Sequence, residues 1–384
     1  TLASALHCLL LRYSSHALVP PALWDTWEAS LVSALRLRHQ RQLPEGGRED
    51  SHDEDEEADV GDGSALMSRE LSSLLFCFYK LHAPLSRELR ARLCDALLRA
   101  PAALFERMTE QELGNAVLAL CSVSLQPVLA AMSPAARWAL RGKIFEAVAL
   151  RGSTGTRRGG GKAATAGVSC EYSSDVPPEG AAVAGDRGVD GEDAGRGLGL
   201  RAPALLSILT GWSRQPDMRW RDIPRNTRAA LVRAIRSVVE DVRDADSGLG
   251  AARGEGQLRL LGGVLVALGK LGFSSPSSSS SSSSLLANAL ALVASTARRL
   301  LDEGSLSTGT SRAYVTCVNG AARIYFASAQ REDDAENDSD SDSRKHGRGR
   351  SHGFCDERAL QELLEPLPRM LPLLPPDDLS SLWW

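Results

Sequence analysis

The sequence predicts an all-α fold: a right-handed α-solenoid of stacked antiparallel helix pairs with long disordered insertions. Three observations lead there. Of 384 residues, 43% are hydrophobic but only 5% aromatic, and the apolar content is mostly Leu and Ala, which lose little on entering a helix. β-branched runs with a period of two are scarce, so little sheet is expected. One apolar stripe recurs along the chain, and its closest recurrences, Leu71 and Leu113, lie 42 residues apart. Such a period belongs to helical hairpins that bury one face only by stacking on the next hairpin.

The elements follow in order. Leu2 to Tyr13 and Pro21 to Arg41 make an opening pair, within residues 1–42. Residues 64–150 hold two further pairs. In the first, His82-Ala-Pro84 breaks Ser68 to Ala100 into two helices, since proline cannot continue one. The second opens on the capping box Thr109-x-x-Glu112, and its partner on Ser133 as N-cap with Pro134 in the first turn. Residues 200–329 continue with Leu200 to Arg214 and Pro224 to Val242, then Gln257 to Gly272 and Leu285 to Leu301, then Ser311 to Ala327. Residues 355–384 supply the partner of that last helix, Asp356 to Leu371, and the start of a further repeat at Asp377. The pattern is cut at both ends, so the chain is expected to be part of a longer one, with any targeting segment upstream.

Four stretches lack apolar periodicity and are expected to be disordered. They are the acidic linker 43–63, the Gly-, Ala- and charge-rich insertion 151–199, the serine loop 274–284, and the acidic then basic insertion 330–354. Charge is divided the same way. The net charge is −4, but Glu45 to Asp62 carries −9 and Arg331 to Ser343 carries −6, which leaves +11 for the remainder. The segments expected to fold are therefore basic.

Aligning the first helix of each pair on one apolar anchor gives Leu2, Leu71, Leu113, Leu205, Leu261, Tyr314 and Leu379. Apolar residues follow at three and four positions on, a single buried stripe. Six positions on, the residue is small: Cys8, Cys77, Ala119, Gly211, Ala267 and Gly320. That suits close approach of a neighbouring helix. Two columns point away from the stripe. Two positions past the anchor stand Ser4, Ser73, Asn115, Ser207, Gly263, Thr316 and Ser381. Nine past it stand Lys80, Ser122, Arg214, Lys270 and Arg323. At about 100° per residue, each column lies roughly opposite the anchor. The Gly269-Lys270 pair is thus part of a helix face. It lacks the upstream glycine and the following hydroxyl of a phosphate-binding loop. Gly262 and Gly269 have no explanation in the sequence, and each costs a helix interior about 1 kcal/mol relative to Ala.

The segments "ELSSLLFCFYKLHAP", "ELGNAVLALCSVSL" and "LLGGVLVALGKLGF" resemble the degenerate helical repeats of octotricopeptide and heptatricopeptide proteins. They are also similar to the repeats beside RAP domains in FASTK-like proteins and to those of RNA-editing substrate-binding-complex subunits. No RAP domain is visible in the chain, and the insertions depart from the compact pattern of those repeats. The resemblance implies a mitochondrial protein that acts on organellar RNA, in stability, processing, or ribonucleoprotein or ribosome assembly.

On that reading Ser73, Asn115, Ser207 and Thr316 would face base edges of single-stranded RNA, and Lys80, Arg214, Lys270 and Arg323 its phosphates. The plainer reading is that small polar residues allow tight stacking and cations complement helix C-termini. A HEAT- or armadillo-like scaffold for protein partners is the alternative function. No catalytic arrangement stands out, so a non-enzyme without cofactor is expected. His346, His352 and Cys355 are the nearest approach to a metal set, with spacing that points to none. Seven scattered cysteines without a Cys-x-x-Cys pair suggest reduced thiols outside the secretory route. No apolar run reaches the roughly 18 residues of a membrane span.

Overall fold

The computed structural model describes residues 2–13, 15–41, 68–154, 200–245, 251–273, 280–337 and 357–376. Among them all regular structure is helical. The helices are α1 (Leu2–Arg12), α2 (Pro21–Arg41), α3 (Ser68–Leu81), α4 (Arg87–Arg99), α5 (Ala102–Arg107), α6 (Glu110–Leu120), α7 (Gln126–Ala130) and α8 (Pro134–Thr154). They continue with α9 (Ala202–Ser213), α10 (Arg225–Ala245), α11 (Ala251–Lys270), α12 (Ser280–Asp302), α13 (Thr308–Asn337), α14 (Glu357–Leu364) and α15 (Leu367–Met370).

Local chemistry sets many of the boundaries. The Thr109–Glu112 capping box closes reciprocally: Thr109 N–H donates to Glu112 Oε2 (2.8 Å) and Glu112 N–H to Thr109 Oγ1 (3.2 Å). Ser133 accepts from Ala136 N–H (3.2 Å), Ser86 from Leu89 N–H (3.1 Å) and Ser307 from Thr310 N–H (2.9 Å). Each of these bonds satisfies one donor that the first turn leaves orphaned. Where α3 stops, His82 takes φ 51. Gly272 (φ 65) ends α11: Phe273 N–H donates back to Leu268 O at 2.9 Å and Gly272 N–H to Gly269 O at 3.0 Å. This is a Schellman cap, whose left-handed residue glycine adopts without strain.

Several boundaries differ from those the sequence predicts, among them the start of α11, at Ala251 and not Gln257. Helix α8 runs to Thr154, so the insertion at 151–199 does not begin at Arg151; Arg151 donates to Glu106 O (2.8 Å) and Met108 O (2.6 Å). Helix α12 begins at Ser280, inside the serine loop 274–284. Helix α13 runs to Asn337, inside the 330–354 insertion. Extending an existing helix adds a hydrogen bond per residue with no new nucleation cost, so a polar segment beside a packed helix can join it. The partner of α13 is not one helix but two, α14 and α15, broken at Pro366. Residues 43–63 and Asp377 onward lie outside the described residues.

Packing joins the helices into two rows. In one, α1 packs on α3, α3 on α6, α6 on α9, α9 on α11 and α11 on α13. In the other, α2 packs on α4, α4 and α5 on α8, α8 on α10, α10 on α12 and α12 on α14. The anchors Leu71, Leu113, Leu205, Leu261 and Tyr314 are all buried, as are Leu74, Ala116, Ile208, Val264 and Cys317 three residues on. Trp24 and Trp27 of α2 meet Phe78 of α3 edge-on, with centroids 6.5 and 5.7 Å away.

Glycines in the first row mark backbone-to-backbone approach. A Cβ on Gly211 would lie 3.1 Å from Leu118 Cα, and one on Gly320 2.6 Å from Val266 N. These two fill the small slot six past the anchor. A Cβ on Gly262 would meet Cys317 Sγ and Thr316 Cγ2 at 3.2 Å, and one on Gly269 would meet Arg323 Cβ at 2.6 Å. Both glycines the sequence left unexplained therefore face α13. The approaches run in step, Gly262 to Thr316 and Gly269 to Arg323, so α11 and α13 are parallel. The same holds for α6 and α9, where Gly114 approaches Ala204 and Leu118 approaches Gly211.

Candidate nucleic-acid interface

Parallel neighbours place like ends of their dipoles side by side, which is unfavourable unless charge offsets it. The sequence supplies that charge. At helix N-termini, Glu110 accepts from Arg201 N–H at the start of α9. Glu255 accepts from Ser307 Oγ (2.8 Å) and Thr310 Oγ1 (3.3 Å) at the start of α13. At the C-terminal ends stand Lys80 of α3, Arg214 just past α9 and Lys270, the last residue of α11. The first row therefore has a basic edge formed where its helices end.

That edge carries aromatic rings. Lys80 Nζ lies over the Phe76 ring at 5.5 Å and the Tyr79 ring at 5.7 Å. Arg214 reaches the same Tyr79, with its guanidinium 5.7 Å from the ring centroid and Nη1 3.4 Å from the phenol oxygen. It does so across the end of α6, where the column holds Ser122, a buried residue whose hydroxyl has no hydrogen-bond partner among the described residues. The exposed His82 stands edge-on to Tyr79 at 6.2 Å. Lys270 is exposed. Arg323 lies beside it, against Gly269, with Nε bonded to Asn319 Oδ1 at 2.9 Å. The structure thus draws Lys80 and Arg214 together around one ring and sets Lys270 and Arg323 on adjacent helices.

The small polar column is placed differently. Ser207 Cβ sits 3.3 Å from the Cβ position of Gly114. Thr316 is exposed, with its methyl against Gly262 and its hydroxyl donating to Arg312 O at 2.8 Å. Both serve contacts between neighbouring first-row helices. Asn115 accepts from Gln111 Nε2 (3.0 Å) and is half-buried, as is Ser73; Ser4 is exposed.

Sequence reasoning missed a further ring, on the second row. Trp138 of α8 is 50% exposed, and the Arg141 guanidinium lies 5.1 Å from its centroid. Arg141 is held in turn by the Asp217 carboxylate (3.0 and 3.2 Å) and by Gln215 Oε1. Gln215 follows Arg214 in the chain. Arg141 and Arg214 both act on the part-buried Cys121, drawing its thiol down, but burial prevails and pushes it up to about 12. The i, i+3 spacing of Trp138 and Arg141 was the available signal, since such residues share a helix face. Their junction with Arg214 was not readable.

Second-row cations have another use. Lys143 Nζ donates to Leu98 O (3.0 Å) and Ala100 O (2.6 Å) at the end of α4. Arg151, Arg233 and Arg298 likewise donate to backbone carbonyls of neighbouring elements. These groups complete helix C-termini.

No group of three His, Cys, Asp or Glu residues able to hold a metal occurs among the described residues, and His346, His352 and Cys355 lie outside them. Among the described residues no single helix is long and apolar enough to cross a membrane. Gly269 and Lys270 end a helix and form no loop. No protein-family model matches the chain, and no curated protein or solved structure was found similar to it.

Proposed function

We propose that this chain is a non-catalytic RNA-binding protein whose two helix rows form part of a right-handed α-solenoid. The basic edge of the first row holds the phosphates of single-stranded RNA through Lys80, Arg214, Lys270 and Arg323. One observation carries the reading: Tyr79 flanked by Lys80 and Arg214. Cations that only complement helix dipoles need no shared ring, whereas single-strand binders combine a basic track with aromatic faces for bases. The resemblance of the repeats extends the proposal to mitochondrial RNA, in stability, processing or ribonucleoprotein assembly.

The test is a filter-binding titration of wild type and the fourfold variant K80A/R214A/K270A/R323A over a range of salt. Releasing four phosphate contacts to a single strand should flatten the slope of log K against log salt by about 3. Affinity should fall for every RNA sequence alike. Equal affinity and equal slope in the two proteins would reduce the column to a solvated face. Absence of RNA affinity in wild type would leave the HEAT- or armadillo-like scaffold as the reading to pursue.

A further inference from the structure

Among the described tryptophans Trp138 is the one that is not buried. Half of its surface is exposed. Arg141 lies over the ring at 5.1 Å and is itself fastened to Asp217 and Gln215 across to the segment after α9. That segment begins with Arg214, which is exposed and reaches the Tyr79 ring. Trp138, Arg141, Gln215, Arg214 and Tyr79 therefore form one continuous string from the second row to the first, with a ring at each end and a cation next to each ring. Ring faces take any nucleobase by stacking, and a guanidinium between them takes a phosphate.

We infer that this string is a two-base stacking site for a single strand: one nucleobase on Trp138, one on Tyr79, and a backbone phosphate on Arg214. The inference rests on the RNA-binding reading and deepens it, because it adds a base-dependent part to an otherwise electrostatic surface. Stacking needs no particular base edge, so the site is tolerant of sequence. It selects unpaired strands, since paired bases hide their faces.

Two ten-nucleotide ligands separate the stacking from the charge: an RNA of mixed sequence, and an abasic ribose-phosphate oligomer of equal length. Wild type should bind the RNA at least about tenfold more tightly than the abasic oligomer at the same salt, and Trp138→Ala should lose about 5- to 100-fold on the RNA. Trp138→Ala should leave the abasic affinity unchanged, and Trp138→Phe, which keeps a ring, should recover most of the loss. Circular dichroism of each variant checks that helix content is intact. Equal wild-type affinity for both ligands, with steep salt dependence, would overturn the stacking site while the electrostatic reading stands. A Trp138→Ala variant indistinguishable from wild type on RNA, or one that loses equally on both ligands, would also overturn it. Failure of wild type to bind either ligand would remove both readings together.

Discussion

Gly320→Ala tests the packing of the first row by the sign of its effect. In an exposed helix interior, replacing Gly by Ala stabilises by roughly 0.5–1 kcal/mol, because Gly loses more freedom on folding. At Gly320 the added Cβ would lie 2.6 Å from Val266 N and 2.7 Å from Leu265 C and Leu265 Cβ. Two of these three atoms are backbone of α11, so relief requires moving the helix. Overpacking of this kind costs about 1–3 kcal/mol; set against the propensity gain, this leaves a net loss centred on about 1 kcal/mol and reaching about 2.5 kcal/mol. The controls are Gly142→Ala and Gly256→Ala, at helical positions where nothing lies within 4 Å of the added carbon. Both should stabilise. Denaturant midpoints of the three variants at constant slope would decide the matter. Should Gly320→Ala raise the midpoint as the controls do, α11 and α13 are not in backbone contact, and the account of the small slot fails.

Two other perturbations follow from the fold. Lys143→Ala should lose about 2 kcal/mol, the scale of a hydrogen bond to a charged group, because the carbonyls of Leu98 and Ala100 lose their part-buried donor; an unchanged denaturant midpoint would refute this. Stability should also fall as pH rises above 9, since burial lifts the Cys77 thiol from 9.0 to about 11 and the Cys121 thiol from 9.0 to about 12. With raised folded values, the folded protein binds more protons than the unfolded chain in that window, so the contribution is complete below pH 9 and lost through 11 and 12. Cys77→Ala, which puts in the small slot the residue that Ala119 and Ala267 already supply, should shrink the difference in midpoint between pH 8 and pH 10.5. A difference as large as in wild type would exclude the Cys77 thiol as its source.

What the sequence could show depended on range. The anchor stripe, the small slot and the Thr109–Glu112 cap are patterns within one helix, and the structure bears them out in the helices anchored from Leu71 to Tyr314 and at the cap; in α1, Ala5 of the stripe and Cys8 of the slot are exposed. Register between helices is not written locally. Gly262 appears as an unexplained cost until Thr316 and Cys317 are placed against it. Ser207 reads as polar surface but is half-buried against Gly114, because helical periodicity gives an angle around one axis and not the position of the neighbour; Thr316 is exposed as read, and its methyl also packs on Gly262. Helix ends in polar runs were missed at Ser280 and Asn337, since extension from a packed helix tolerates residues that would not start one. At the candidate site, Lys80 and Arg214 were legible as a column. The ring they share was not, because α6 ends early enough for Arg214 to cross it.

The proposed interface is tested most directly by mapping where RNA touches the protein. Ultraviolet crosslinking of the purified chain to a single-stranded RNA, followed by mass spectrometry of the adducts, reads contact at aromatic side chains. The account predicts adducts at Tyr79 and Trp138, on peptides from the ends of α3 and the start of α8, diminished as salt rises. Adducts confined to other surfaces, or none at concentrations where the RNA is bound, would contradict it.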